Sequence, residues 1–214
     1  MKLFKLSLSK TIRTGVLTTI AILSTNISYS QDFGADLVSS YVWRGTQFGS
    51  GAHIQPYMTL GSGNLEAGVW GSFPTTANGG GNELDAYLSY DFGPFALTIT
   101  NYTFNNPNGV YGATVDTYED SGYELFDGDM EVTASASLGA IGLTVGYFTD
   151  LEALYVEAGT TVGGMDLAIG YGSDGDGAFY AGGDSGLVNV SLGGSKDIKI
   201  TDDYSLPLFG SFIY

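Results

Sequence analysis

From Gln31 onward, apolar and polar residues alternate with a period of two over stretches of about ten residues, separated by clusters of Gly, Asn, Asp and Pro. The clearest stretch runs over 82–93, where Leu84, Ala86, Leu88, Tyr90 and Phe92 alternate with Glu83, Asp85, Tyr87, Ser89 and Asp91. A second runs over 130–138, with Met130, Val132, Ala134, Ala136 and Leu138 set against Glu131, Thr133, Ser135 and Ser137. Successive side chains of a strand point to opposite faces, so each segment has one apolar and one polar face. The pattern predicts strands near 34–45, 53–60, 64–73, 82–92, 95–104, 128–138, 141–149, 153–162, 165–172, 187–200 and 204–214. Helical periodicity is absent, and no segment after Ile27 approaches the 18 or so consecutive apolar residues of a membrane helix.

The connections differ in kind. Gly61 to Gly63, Gly93-Pro94, Gly139-Ala140 and Gly163-Gly164 read as tight turns, whereas 74–81, 105–121 and 173–186 are long, polar and rich in Gly and Asp. Two further connections, 46–51 and 150–152, read as short loops on the side of the long ones. Tight turns on one side and longer loops on the other is the habit of an antiparallel up-and-down transmembrane β-barrel, with the tight turns periplasmic. A soluble sandwich or a secreted solenoid also alternates, but it wets its polar face and commonly places Lys there. Lys is almost missing here, and aromatic residues gather near strand ends, at Tyr41, Trp43, Phe73, Tyr90, Phe92, Phe95, Tyr147 and Tyr171. Those are the expected girdle positions of a membrane barrel.

The first thirty residues form an expected signal peptide. Lys2, Lys5, Lys10 and Arg13 are the charged region, 15–27 is a short apolar region, and Ser28-Tyr29-Ser30 supplies small residues before a cleavage at Ser30-Gln31. Four of the 7 basic residues lie in that leader, which leaves Arg44, Lys196 and Lys199 against 23 acids, a net charge of 3 − 23 = −20 for the processed chain. So acidic a chain cannot displace the counterions of phosphates, which excludes nucleic acid as a partner. The absence of cysteine removes thiol catalysis and Cys-based zinc sites.

A resemblance covers nearly all of the processed chain. The opening Ala35-Asp36-Leu37-Val38-Ser39-Ser40-Tyr41-Val42-Trp43-Arg44-Gly45, with Ile54-Gln55-Pro56, Gly68-Val69-Trp70-Gly71-Ser72, Lys199-Ile200-Thr201 and Ser205-Leu206-Pro207-Leu208-Phe209, resembles the TorF-type porins, also called the Gcw_chp family. The resemblance implies an outer-membrane barrel in contact with lipid and lipopolysaccharide, passing small solutes by diffusion. Members of that family continue beyond the Leu-Pro-Leu-Phe strand through an Asn-Pro turn into a last strand, whereas this sequence stops at Tyr214. Bacterial single-chain barrels have even strand counts, so the expectation is twelve strands in the complete protein and eleven here.

The residues expected to line the interior are Asp36, Arg44, Glu66, Glu83, Asp85, Asp91, Glu131, Glu157 and Asp166. Alternation puts Arg44 on one strand face with Asp36 and Ser40, where it pairs with carboxylates such as Glu66 or Glu83, either as part of a constriction or as a structural plug. The acids outnumber any basic partners, which favours cations in an open channel. The alternative is a closed barrel with a filled interior that binds at the surface through 105–121 and 173–186. His53 is the only histidine, and without a nucleophile elbow around any serine the chain is expected not to be an enzyme. The acidic stretch Ser173-Asp174-Gly175-Asp176-Gly177, with Asp184, departs from a calcium loop because Ala178 stands at a ligand position and no closing Glu follows. No metal or cofactor is expected.

Overall fold

A computed structural model describes residues 30–76, 79–80, 82–104, 128–173, 180 and 185–214. Residues 1–29 of the leader, the whole 105–121 connection and the acidic stretch after Ser173, including Asp184, lie outside the described residues. Thirteen strands follow one another: β1 Ser30–Val38, β2 Tyr41–Trp43, β3 Thr46–Gly49, β4 His53–Ser62, β5 Leu65–Pro74, β6 Glu83–Asp91, β7 Phe95–Phe104, β8 Asp129–Leu138, β9 Ile141–Phe148, β10 Leu154–Val162, β11 Met165–Gly172, β12 Gly186–Lys199 and β13 Ser205–Ile213. Eleven of them form one antiparallel meander, β1-β4-β5-β6-β7-β8-β9-β10-β11-β12-β13, while β2 and β3 form a separate hairpin. β1 and β13 are the two edges of the large sheet.

Periodicity placed ten of the eleven sheet strands within two residues of their ends. The exception is the first. The expected strand 34–45 is broken after Val38, and the expected short loop 46–51 contains β3. The break has a local cause in Arg44-Gly45, whose φ angles of 49° and 80° build a two-residue turn of the kind that closes hairpins. Gly45 is needed there twice over, for its left-handed φ and because any Cβ would collide with the Val188 carbonyl.

The sheet must curl around this hairpin. The ring of Tyr41 lies 5.5 Å from that of Trp70 on β5, and Gly45 abuts Val188 on β12. Seven strand spacings separate β5 from β12 in the sheet order, about 34 Å if the sheet were flat. Four residues of extended chain reach at most about 14 Å. Only a strongly curved sheet brings both strands to the same short hairpin.

Register assigns the two faces. Pairs such as Asp36↔Gln55, Trp70↔Asp85, Asp85↔Tyr102 and Glu131↔Phe148 face inward, toward the hairpin. The outward face is apolar and exposed, with Leu97, Ile99, Val132, Val145, Val156, Ile169 and Leu192 among its side chains. This inverts the packing of a water-soluble sheet. Among the described residues the buried set holds ten polar or charged side chains and seven hydrophobic ones, so the interior is not an oil-like core.

Tyrosine and glycine pack together on the inward face. An added Cβ at Gly34, Gly68, Gly170 or Gly172 would meet the side chain of Tyr57, Tyr87, Tyr155 or Tyr180 respectively. Each bare glycine thus leaves room for a ring from a neighbouring segment, a cross-strand pairing that fills an otherwise open backbone. Of the aromatic residues expected at girdles, Tyr90, Phe92 and Phe95 form an exposed cluster at the turn end, with ring centroids 4.7 and 5.0 Å apart. Tyr147 and Tyr171 are exposed near the loop end, and Phe73 pairs with outward Ile54. Tyr41 and Trp43 are the corrections. Both belong to the hairpin and lie inside, because the chain leaves the sheet before reaching them.

Candidate functional site

The inner hairpin enters the interior at the loop end, where two backbone hydrogen bonds, Ser50 N–H to the Gly79 carbonyl (2.8 Å) and Thr75 N–H to the Ala52 carbonyl (2.9 Å), tie its base. From there it presents two different chemistries to the sheet. At the tip, Arg44 donates to both carboxylate oxygens of Glu131 on β8, at 2.5 and 3.2 Å, and to the Tyr180 hydroxyl at 3.1 Å. Its guanidinium carbon sits 4.1 Å from the centre of the Trp43 ring and 4.3 Å from that of Tyr155, so the cation lies between two aromatic faces. The Glu131 Oε2 atom accepts two more bonds, from Tyr102 Oη at 2.9 Å and Thr133 Oγ1 at 3.0 Å. A buried ion pair survives only when its lone pairs and donors are satisfied in this way.

Apolar and aromatic residues seal the pair. Phe148, Ala153, Tyr155, Tyr180 and Val188 form a buried cluster, with Trp43, Tyr102 and Leu151 against it. Burial pushes the Tyr180 hydroxyl up to about 12, against the pull of the Arg44 charge and with a further push from Glu131. It therefore stays protonated at neutral pH and accepts from Arg44 as a phenol. Gly146, opposite Thr133 in the register, keeps this space open. A side chain there would run into Glu131 and stand 3.1 Å from the guanidinium.

At the base, Tyr41 donates to Glu83 Oε2 at 2.6 Å. Tyr41 stacks on Phe48 at 5.3 Å, and Phe48 stacks on Phe104 at 5.8 Å. His53 is fully buried with its Nδ1 3.0 Å from Ser72 Oγ, which also receives Gln55 Nε2 at 3.2 Å. Ser72 is thus held between His53 and Gln55.

The expected interior residues separate into distinct environments. Asp36, Glu66 and Asp166 are exposed on the inward face, where Glu66 accepts from Tyr87 Oη (2.9 Å) and Asp166 from Thr161 Oγ1 (2.7 Å). Asp91 stands at the turn end and its carboxylate accepts the Gly93 N–H at 2.6 Å, so it braces the β6–β7 turn. Glu157 accepts from Tyr155 Oη and from Asn189 Nδ2 (2.7 Å). Glu83, Asp85 and Glu131 are buried at the loop end. Arg44 is the correction: it is at a hairpin tip rather than on a strand with Asp36, and its partner is Glu131 rather than Glu66 or Glu83. The other two basic residues of the sheet region are at the turn end, where Lys199 pairs with Asp202 at 2.7 Å in full exposure and Lys196 follows the outward register of Leu192.

Reading the sequence alone missed Trp43, Tyr102, Gly146, Tyr155 and Tyr180 as parts of the Arg44 site. The available signal was Tyr41-Val42-Trp43 and Thr46-Gln47-Phe48 flanking a two-residue X-Gly turn, a hairpin pattern concealed inside an alternating run. Among the described residues, no three His, Cys, Asp or Glu side chains assemble as a metal-ligating group. No protein-family model, curated protein or solved structure matches the chain.

Proposed function

We propose that the chain is an outer-membrane β-barrel that passes small solutes, cations in preference, through an interior narrowed at its loop end by the β2–β3 hairpin. In this reading one further strand between β1 and β13 completes an even-numbered barrel of twelve, since exposed backbone at a lipid-facing edge costs several kcal/mol per group. The exposed apolar outward face supports placement in lipid, and the exposed Tyr90–Phe92–Phe95 cluster at the turn end, with Tyr147 and Tyr171 exposed near the loop end, suits its two interfaces. The short turns would then be periplasmic. The observation that carries the solute preference is the charge of the inward face. Its single internal cation, Arg44, is engaged by Glu131, while Asp36, Glu66, Glu83, Asp85, Glu157 and Asp166 meet no basic side chain among the described residues. In the turn half the inward positions are small and polar, including Thr98, Thr133, Ser135, Thr144 and Ser191, which suits a water-filled vestibule.

One observation favours a second reading, a closed barrel acting at its surface. The hairpin packs densely enough to leave Phe148 and Ala153 fully buried. Planar-bilayer recording of the chain extracted from outer membranes separates the two. The channel reading expects reversal potentials favouring cations, more strongly at low salt where the Debye length exceeds about 10 Å. Anion preference would refute it. Silence from the natural chain, with conductance from a variant lacking 41–49, would transfer the case to the closed barrel. Recovery of the chain as a soluble periplasmic monomer would defeat both.

A further inference from the structure

Phe209 is an apolar ring on a polar face. Register puts it inward, opposite Ser195 on β12, at the turn end of the sheet. The rings of Tyr41, Trp43, Tyr102, Tyr155 and Tyr180 in the loop half all pack on other rings. Phe209 is 60% exposed and meets no other ring among the described residues, so its faces are open to the interior.

Beside this ring the wall is dented. A cleft of about 240 Å³ opens on the inward face of β11, β12 and β13. Its floor is Gly193, flanked across the ladders by Asp166 and Ser211 and along its own strand by Ser191 and Ser195. The side chain that Gly193 lacks would stand inward between Asp166 and Ser211, so the missing side chain makes the dent. Asp166 Oδ1 accepts from Thr161 Oγ1 at 2.7 Å. Its other oxygen and the hydroxyls of Ser191, Ser195 and Ser211 have no protein hydrogen-bond partner among the described residues.

These groups specify the chemistry of an occupant. The face of an aromatic ring is weakly negative and takes polarised C–H groups. Three hydroxyls that donate and accept, with a carboxylate that accepts, match a ligand rich in hydroxyls. An anion is disfavoured, because Asp166 and Asp197 both face inward here while Lys196 follows the outward register. A small ammonium ion would suit Asp166 or Phe209 but cannot meet both. Their backbones are two strand spacings and two residues apart, about 12 Å. A pyranose bridges that gap, with C–H groups on its faces and hydroxyls around its rim. The cleft is smaller than the ~300–1,000 Å³ pockets that hold drug-sized ligands, which limits it to one ring.

We infer that the cleft binds one ring of a neutral sugar, stacked on Phe209, with its hydroxyls shared between Asp166 and the serines. The inference deepens the proposed function by naming a class of solute, and it rests on that reading only for the solute's route. Binding itself does not require conduction, which lets the two be tested apart.

The test is saturation-transfer NMR on the purified chain in detergent, with methyl β-D-glucopyranoside as the probe. Transfer should saturate with glucoside concentration and reach the ring C–H groups. Sorbitol, a polyol without a ring, should show none beyond the detergent blank, and glucuronate should bind more weakly than the glucoside. Phe209→Leu keeps an apolar side chain but removes the ring face, and should weaken binding at least fivefold. Phe209→Tyr should restore it, and Gly193→Val should abolish it by filling the floor. If Phe209→Leu does not fold, Asp166→Asn should still weaken the glucoside at least threefold. Equal transfer to sorbitol and glucoside, or unchanged binding in folded Phe209→Leu, would overturn the site. So would transfer to choline in place of the glucoside that is lost in Asp166→Asn, because the cleft then takes a cation. Proteoliposomes that exclude the glucoside, with NMR binding intact, would refute the channel and leave the site standing.

Discussion

The Arg44–Glu131 pair is the part of the molecule on which the hairpin's position most depends, and its removal has a calculable consequence. The side chains are 11% and 1% exposed, so the charges interact largely out of water and little screening applies. Replacing Arg44 with Met keeps the stem between Trp43 and Tyr155 but leaves the Glu131 charge buried with only Tyr102 and Thr133 to serve it. Breaking one side of a buried pair costs about 3–5 kcal/mol. Glu131→Gln should cost less, because a glutamine oxygen still accepts from Arg44 and the cation keeps Tyr180 and two ring faces. The double variant should cost less than the sum of the two, by about 0.5–3 kcal/mol, as expected for groups in direct contact. The loss should fall on the hairpin rather than on the sheet, because the eleven strands are held by their own ladders and no sheet strand pairs with β2 or β3. Amide exchange over 41–49, and acrylamide access to Trp43 in a Trp70→Phe background, would report it. Slower exchange at the hairpin than in β8, or single-variant costs under about 1 kcal/mol that simply add, would refute the assignment of the pair as the hairpin's anchor.

Two other predictions probe the space around that anchor and the faces of the sheet. Gly146→Val should drive a side chain into Glu131 and Arg44 and cost about 1–3 kcal/mol. It should raise Trp43 accessibility much as Arg44→Met does, and unchanged accessibility would mean that the pair can shift to make room. Arg at Leu88 or Val132, both on the apolar outward face, should cost about 2–4 kcal/mol of stability in lipid, whereas Arg at Ser89 should be tolerated among inward acids. Urea titration in liposomes would compare them, and equal costs on both faces would show that the outward face does not meet lipid.

What the sequence determined by itself was whatever has a local cause. Alternation with a period of two fixes which side chains share a face, and glycines such as Gly93, Gly139 and Gly163, with φ of 89°, 66° and 61°, end the strands where they must turn. These are effects of a few neighbouring residues, so ten strand positions and the polarity of both faces were legible without coordinates. The partner of Arg44 was not. Alternation could place Arg44 among acids, yet Glu131 lies 87 residues away and Tyr180 lies 136 away, and nothing local distinguishes Glu131 from Glu66 or Glu83. That choice depends on how far the sheet curls and how deep the hairpin reaches. The Arg44-Gly45 turn shows the same division from the other side. A two-residue turn can be recognised in sequence, but whether its hairpin lies outside the sheet or folds within it depends on what it meets there. Here Gly45 can lie against the Val188 carbonyl because it has no side chain, and Trp43 finds rings at Tyr102, Phe148 and Tyr180 from three separate segments. Burial of those rings and satisfaction of one buried charge arise only when the curved sheet has brought distant strands together, and only the tertiary structure could decide them.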